Sequence, residues 1–178
     1  LRKHCEPIDK NYPDLKGLIA NMWETLESAN GIGLAAPQIG LDIRLFILDV
    51  SPLAEDEDYA DIAEELKDFR KVFINAQILE ESGPEWKFNE GCLSIPDVRE
   101  DVKRKETIVI EYLDENFVKH TETFSDIRAR VIQHEYDHIE GILFTDHLSA
   151  LKKKIVKGKL MKISQGDVSV NYKMRFPK

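Results

Sequence analysis

His134-Glu135-Tyr136-Asp137-His138 sets two imidazoles four residues apart with a carboxylate between them. On an α-helix four residues advance about 400°, so the imidazoles stand roughly 40° apart on one face and can converge on one metal ion. Glu135 lies about 100° further round from His134, near such an ion without having to ligate it. A general base is needed there when water is the nucleophile. Three fixed positions arise by chance in roughly one chain in fifty of this length, so the pattern draws its weight from its surroundings. Ile127 and Val131 continue the stripe of His134 and His138 at spacings of four. A face that reads apolar, apolar, His, His points its imidazoles inward.

Two imidazoles do not complete a catalytic site, which usually has three protein ligands and one open position. Cys92, in Glu90-Gly91-Cys92-Leu93-Ser94-Ile95-Pro96, is the candidate third, because a Gly-flanked loop between strands lets backbone groups approach a ligand. Cys5 sits among charges near the start, and His4, His120 and His147 lack partner spacing and read as surface residues. Asp137 has no part in the base role, and it is expected to pair with a basic residue such as Arg104 to hold the ligand helix.

The elements that must position these groups follow from periodicity. Leu15, Leu18, Ile19, Met22 and Leu26 recur on one helical face, and Asn30-Gly31 supplies the stop. Residues 31–40 are too rich in Gly and Pro for a regular interior, and 41–50 read as a buried strand. Residues 55–68 hold eight acids and one Lys and predict a solvated loop with a short helical turn. A strand is expected over 71–80, then a hairpin of 107–113 and 117–124 around Asp114-Glu115-Asn116. Asp126 is expected to cap the HExxH helix, which runs to about Glu140 with Gly141 as its stop.

The 178 residues fit one domain able to bury a sizeable core. The net charge of -8 argues against a general nucleic-acid binder, and the longest apolar run, Leu45-Phe46-Ile47-Leu48, is too short to span a membrane. Arg2-Lys3-His4 leads into no apolar stretch, so no secretory signal is expected. Two cysteines make no disulfide framework, and a reduced, cytoplasmic setting follows. Strands followed by a late helix imply an α+β class: a single domain, residues 1–150, of antiparallel or mixed sheets around the HExxH helix. Residues 151–178 form a basic C-terminal extension, nine Lys and Arg against one Asp, read as a helix over 148–161 and a strand-like stretch near 168–172.

Gly31-Ile32-Gly33-Leu34-Ala35-Ala36-Pro37-Gln38, Glu90-Gly91-Cys92-Leu93-Ser94 and Gln133-His134-Glu135-Tyr136-Asp137-His138, in that order, resemble the three signature motifs of the peptide deformylases. The likeness extends from Leu1 to about Leu148. It implies Cys92, His134 and His138 as ligands of one divalent ion, usually Fe²⁺, with Zn²⁺, Ni²⁺ or Co²⁺ as alternatives. It also implies hydrolysis of the N-formyl group of nascent polypeptides that begin with formylmethionine, releasing formate. Glu135 becomes the general base, and the Gln38 side-chain amide and the Leu93 backbone N–H become oxyanion donors. Ile32, Ile127, Val131 and His134 map to the pocket for the methionine side chain, and Gly33 and Gly91 let the substrate backbone lie close. Arg130 departs from an apolar lining; its stem is expected to cover the pocket while its charge reaches solvent.

The acidic insert at 55–68 is longer than the minimal family pattern. The basic extension is the least transferable part, with a ribosomal contact as its functional reading. A zincin peptidase also carries HExxH but takes its third ligand downstream, where only His147 lies, without the expected Gly turn. A non-catalytic metal-binding homologue would have no need to keep both Glu135 and Gln38.

Overall fold

The strand Leu45–Asp49 shows how the layers are built. Phe46 and Leu48 join one apolar cluster and Leu45 and Ile47 the other, all fully buried. A strand whose alternate residues are buried on both sides must lie inside a sandwich of layers. In the computed structural model, which describes residues 1–176, that strand is β2 of a five-stranded antiparallel sheet in the order β1 to β5. The others are β1 (Gly33–Ala35), β3 (Arg70–Cys92), β4 (Ile95–Leu113) and β5 (Lys119–Phe124). Helix α1 (Leu15–Ser28) contributes Ile19, Met22 and Leu26 to the cluster on one side. Helix α3 (Asp126–Ile139) contributes Ile127, Val131 and Ile132 to the other, with Phe73, Ile108 and Phe124. A third cluster holds Ile95, Val98, Phe144 and Leu148 against Val156 and Ile163 of α4 (Ala150–Ser164).

The largest departure from expectation is the ribbon of β3 and β4. The sequence predicts strand only to Glu80, yet β3 continues to Cys92 and turns at once into β4, with Cys92 paired to Ile95. From Glu80 to Asn89 few side chains of β3 are apolar, so the buried-strand pattern fades there. Pairing continues through register shifts, including one between Ser82 and Glu85 that accommodates Gly83 and Pro84. Cys92 therefore ends a strand at a two-residue turn.

Smaller differences have local causes. Strand β5 starts at Lys119, because Asp114 Oδ1 accepts from the N–H groups of Asn116 and Val118 and lengthens the turn. Asp126 is the first residue of α3, where its carboxylate accepts from the Arg128 N–H (2.9 Å), and Ser125 holds the capping position. Helix α4 starts later and ends later than expected, capped by Ser149 Oγ accepting from Lys152 N–H (3.3 Å) and running through Gly158. Residues 168–172 form no strand; Pro177 and Lys178 of the extension lie outside the described residues. The acidic segment forms 3₁₀ turns and the short helix α2 (Ala63–Leu66) between β2 and β3, anchored by buried Leu66 and Phe69.

Candidate active site

Helix α3 lies across the sheet with its inward stripe ending at His134 and His138, and the β3–β4 turn delivers Cys92 to the same place. Ligand-capable atoms of Cys92, His134 and His138 all lie within 4.8 Å of one another, and Cys92 Sγ is 3.2 Å from His138 Nε2. Burial opposes ionisation of the Cys92 thiol, but the two imidazoles outweigh it and hold the thiol well below its ordinary pKa. A thiolate with two imidazoles is a donor set that suits a borderline divalent ion.

The sequence reading missed what orients His134. Its Nδ1 donates to Glu90 Oε2 (3.0 Å), which leaves Nε2 for the ligand role. Glu90 sits two residues before Cys92 in an extended segment, and that spacing was the available signal. Arg104 grips Glu90 with Nε and Nη2 (2.7 and 3.0 Å), and its Nη1 donates to Asp137 Oδ2 (2.8 Å). The expected Arg104–Asp137 pair thus forms as one link of a longer chain, which His147 extends through Nε2 at 2.7 Å from Asp137 Oδ2. His147 is exposed as expected, but it is paired. His4 and His120 likewise meet carboxylates, those of Glu140 and Asp114. Burial would raise the Glu90 pKa, yet the bonds from His134 and Arg104 hold it far below the usual carboxylate range.

Arg130 corrects another expectation. Its charge does not reach solvent: the side chain is 1% exposed. It donates to Glu90 Oε1 (3.0 Å), the Val102 carbonyl (3.2 Å) and the Trp86 carbonyl (2.8 Å), and its guanidinium lies 4.4 Å from the Trp86 ring centre. Burial of this cation is costly, and the carboxylate and the two carbonyls offset that cost.

In front of the triad is a cavity of about 310 Å³, lined by Ile32, Gly33, Gln38, Gly91, Leu93, Arg130, Val131, His134 and Glu135 among others. Phe88 and Arg99 also line it and were not singled out from the sequence. Ile127 is not among the lining residues; one turn before Val131, it packs into the main core with Phe73 and Phe124. The Gln38 amide is fixed at both ends. Its Oε1 accepts from the Ala35 N–H (2.7 Å), which turns Nε2 toward Ser94 Oγ (3.2 Å) and Cys92 Sγ (3.7 Å).

Glu135 is buried, Oε2 has no protein partner among the described residues, and burial pushes its pKa up to about 7. A Cβ on Gly33 would stand 2.5 Å from Glu135 Oε1, and one on Gly91 would stand 2.9 Å from Arg99 Nη1. A side chain at either glycine would therefore collide with a neighbouring side chain, and both glycines line the cavity.

The end of β3 and helix α3 bring a thiol, two imidazoles and a buried carboxylate around one cavity, the arrangement of a metal-dependent hydrolase. The polypeptide deformylase family model matches residues 1–154. A peptide deformylase of Christiangramia forsetii is 61% identical over 178 residues, covering 99% of this chain and 91% of the relative. One of Flavobacterium johnsoniae is 57% identical, covering 99% and 90%. The solved peptide deformylase of Plasmodium falciparum superposes with a TM-score of 0.80 at 30% identity, covering 97% of this chain and 95% of that one. The chain belongs to the polypeptide deformylase family, whose members are metal-dependent hydrolases of formylated nascent peptides.

Proposed function

We propose that Cys92, His134 and His138 hold one divalent ion, Fe²⁺ in the cell, with Zn²⁺, Ni²⁺ or Co²⁺ able to take the same donors. When bound, that ion supplies Lewis acidity, lowering the pKa of the attacking water and polarising the formyl carbonyl. Every other part of the reaction falls to the chain's own groups. The water proton passes to the Glu135 carboxylate, whose Oε2 has no competing donor among the described residues. Glu135 then returns it to the leaving nitrogen, so that the new amino terminus departs neutral. Gln38 Nε2, aimed by the Ala35 bond to its Oε1, and the Leu93 N–H donate to the formyl oxygen as charge gathers there. The substrate backbone runs along Ile32-Gly33 and Gly91, pairing as an added strand, and the methionine side chain enters beside Val131 and the stem of Arg130, with Ile127 behind them.

The observation that carries this reading is the buried carboxylate of Glu135, whose Oε2 has no partner among the described residues and which lines the same cavity as Cys92 and His134. Its test is formate release from a formyl-Met tripeptide by anaerobically loaded Fe²⁺ protein. Glu135→Ala is expected to lose at least about 100-fold in kcat with metal content unchanged; full activity in that variant sinks the base assignment. Metal analysis of anaerobically purified protein decides the ion.

Residues 1–150 are read as the catalytic body and 151–178 as an extension that meets ribosomal RNA. The exposed lysines of α4 support that contact, and co-sedimentation with ribosomes is expected to decline with salt. The free thiols of Cys5 and Cys92 suit a reduced cytoplasm, and no helix of the described residues is long and apolar enough to cross a membrane.

A further inference from the structure

Leu93 occupies the two-residue turn between the paired Cys92 and Ile95, so the β3–β4 ladder does not use its N–H. That turn is short, borders the cavity and carries three groups of the site: Cys92, the Leu93 N–H and Ser94, the partner of Gln38. Backbone groups outside the ladder open more readily than those within it, so an added bond to the turn limits that opening. The Leu93 side chain packs toward the end of α1, in the apolar cluster that includes Leu26. Its carbonyl is taken from the other side by a residue 79 positions away: Tyr172 Oη donates to Leu93 O at 2.8 Å.

Tyr172 reaches that carbonyl because the chain doubles back after α4. Gly166 adopts a left-handed conformation (φ 82°), and Val168 then packs on the cluster that includes Ile95 and Cys92. Asn171 and Tyr172 come to line a groove whose other wall is Pro96-Asp97. A second tether runs from the helix itself, where Lys159 Nζ donates to the Asp97 carbonyl at 3.2 Å. The C-terminal segment thus lies along the outer side of the turn that bears the site.

We propose that Tyr172 is a positioning residue for deformylation. By holding the Leu93 carbonyl it fixes the turn from which the Leu93 N–H meets the formyl oxygen. The hydroxyl touches neither substrate nor ligand atoms; it acts through the Leu93 backbone. An oxyanion donor contributes only if it is aimed before charge develops, so loosening the turn costs kcat more than substrate affinity. The inference rests on the donor role proposed above for Leu93.

The experiment uses the full chain loaded with metal and compares Tyr172→Phe, which removes only the hydroxyl, with the unaltered protein. The expected result is a three- to tenfold lower kcat for a formyl-Met tripeptide, the size of one lost neutral hydrogen bond, with KM within about twofold. Amide hydrogen exchange over residues 92–95 is expected to quicken in the variant. The visible spectrum of the Co²⁺-loaded protein is expected to stay unchanged, because Cys92, His134 and His138 keep their places. Unchanged exchange means that Tyr172 does not hold the turn and overturns the proposal. Faster exchange with unaltered kcat overturns it as well, and faults the Leu93 assignment, while deformylation by the unaltered protein still stands. A loss confined to KM also overturns it, since that result makes the hydroxyl a binding group.

Discussion

Helices α3 and α4 have 14 and 15 residues, and both are rich in polar side chains. In α3 ten residues are buried, among them Arg130, Gln133, Glu135, Asp137 and His138. In α4 only Val156 and Ile163 are buried, while all its lysines but Lys152 are exposed and Leu151 and Ile155 are 69% and 68% exposed. The two helices differ in net charge, with three acids against two Arg in α3 and six Lys with no acid in α4, and they differ equally in the dielectric around each charge. A charge in water interacts weakly and is screened by salt, whereas a buried one must be matched group by group. In α3 the matching makes Glu90, Arg104, Asp137, Arg130 and His134 one hydrogen-bonded unit. In α4 the pairing is limited to rim contacts such as Lys152 with Glu100.

The strongest way to break this contrast is Glu90→Ala, which leaves Arg104, Arg130 and the Nδ1 of His134 facing an empty site. A loss of about 3–5 kcal/mol in stability is expected from urea unfolding, as for one partner removed from a buried ion pair. Metal affinity is expected to fall about 10- to 100-fold in chelator competition, because the imidazole loses its orienting carboxylate. If Glu90→Ala costs no more than an ordinary surface substitution, the buried unit has no special standing and the distinction between the helices collapses.

Asp137→Asn probes the far end of the unit with a smaller effect. Hydrogen bonds to charged partners are worth about 1.5–3 kcal/mol, and that loss is expected at neutral pH. Burial works against the Asp137 carboxylate, but His147 and Arg104 hold its folded pKa below the ordinary value. Its stabilisation is therefore complete above the unfolded pKa of about 3.9 and disappears as pH falls through the folded value. Acid unfolding between pH 5 and 2 is accordingly expected to be shallower in Asp137→Asn than in the unaltered protein. Parallel curves would show that Asp137 does not sense its partners.

How much of this was legible in the sequence follows the same division. The HExxH stripe announces itself because helical spacing alone puts His134 and His138 together, and α1 is equally plain from its apolar face. The outer half of the β3–β4 ribbon was invisible: pairing between strands, not apolar alternation, keeps Glu80–Asn89 extended. Arg130 was misread because a cation on a helix ordinarily seeks water. Only the fold shows that Glu90, Val102 and Trp86 converge on it across 28 to 44 residues of chain. Tyr172 carried no signal at all, since its partner is a backbone carbonyl and any residue supplies one.

The weakest expected effect sharpens the contrast from the other side. Lys153, Lys154 and Lys157 are exposed on α4 and have no part in the charged unit behind His134. Replacing each with Gln is expected to change stability by no more than about 0.5 kcal/mol per site, the range of surface substitutions. Formate release from a formyl-Met tripeptide is expected to stay within twofold, because a short substrate reaches only the cavity beside α3. The same triple variant is expected to co-sediment less with ribosomes and to show a shallower salt dependence, since fewer phosphate contacts release fewer counterions on binding. A large drop in tripeptide turnover would mean that exposed charge on α4 reaches the buried site. The two helices would then have to be treated as one electrostatic system, and the screening argument that separates them would be wrong.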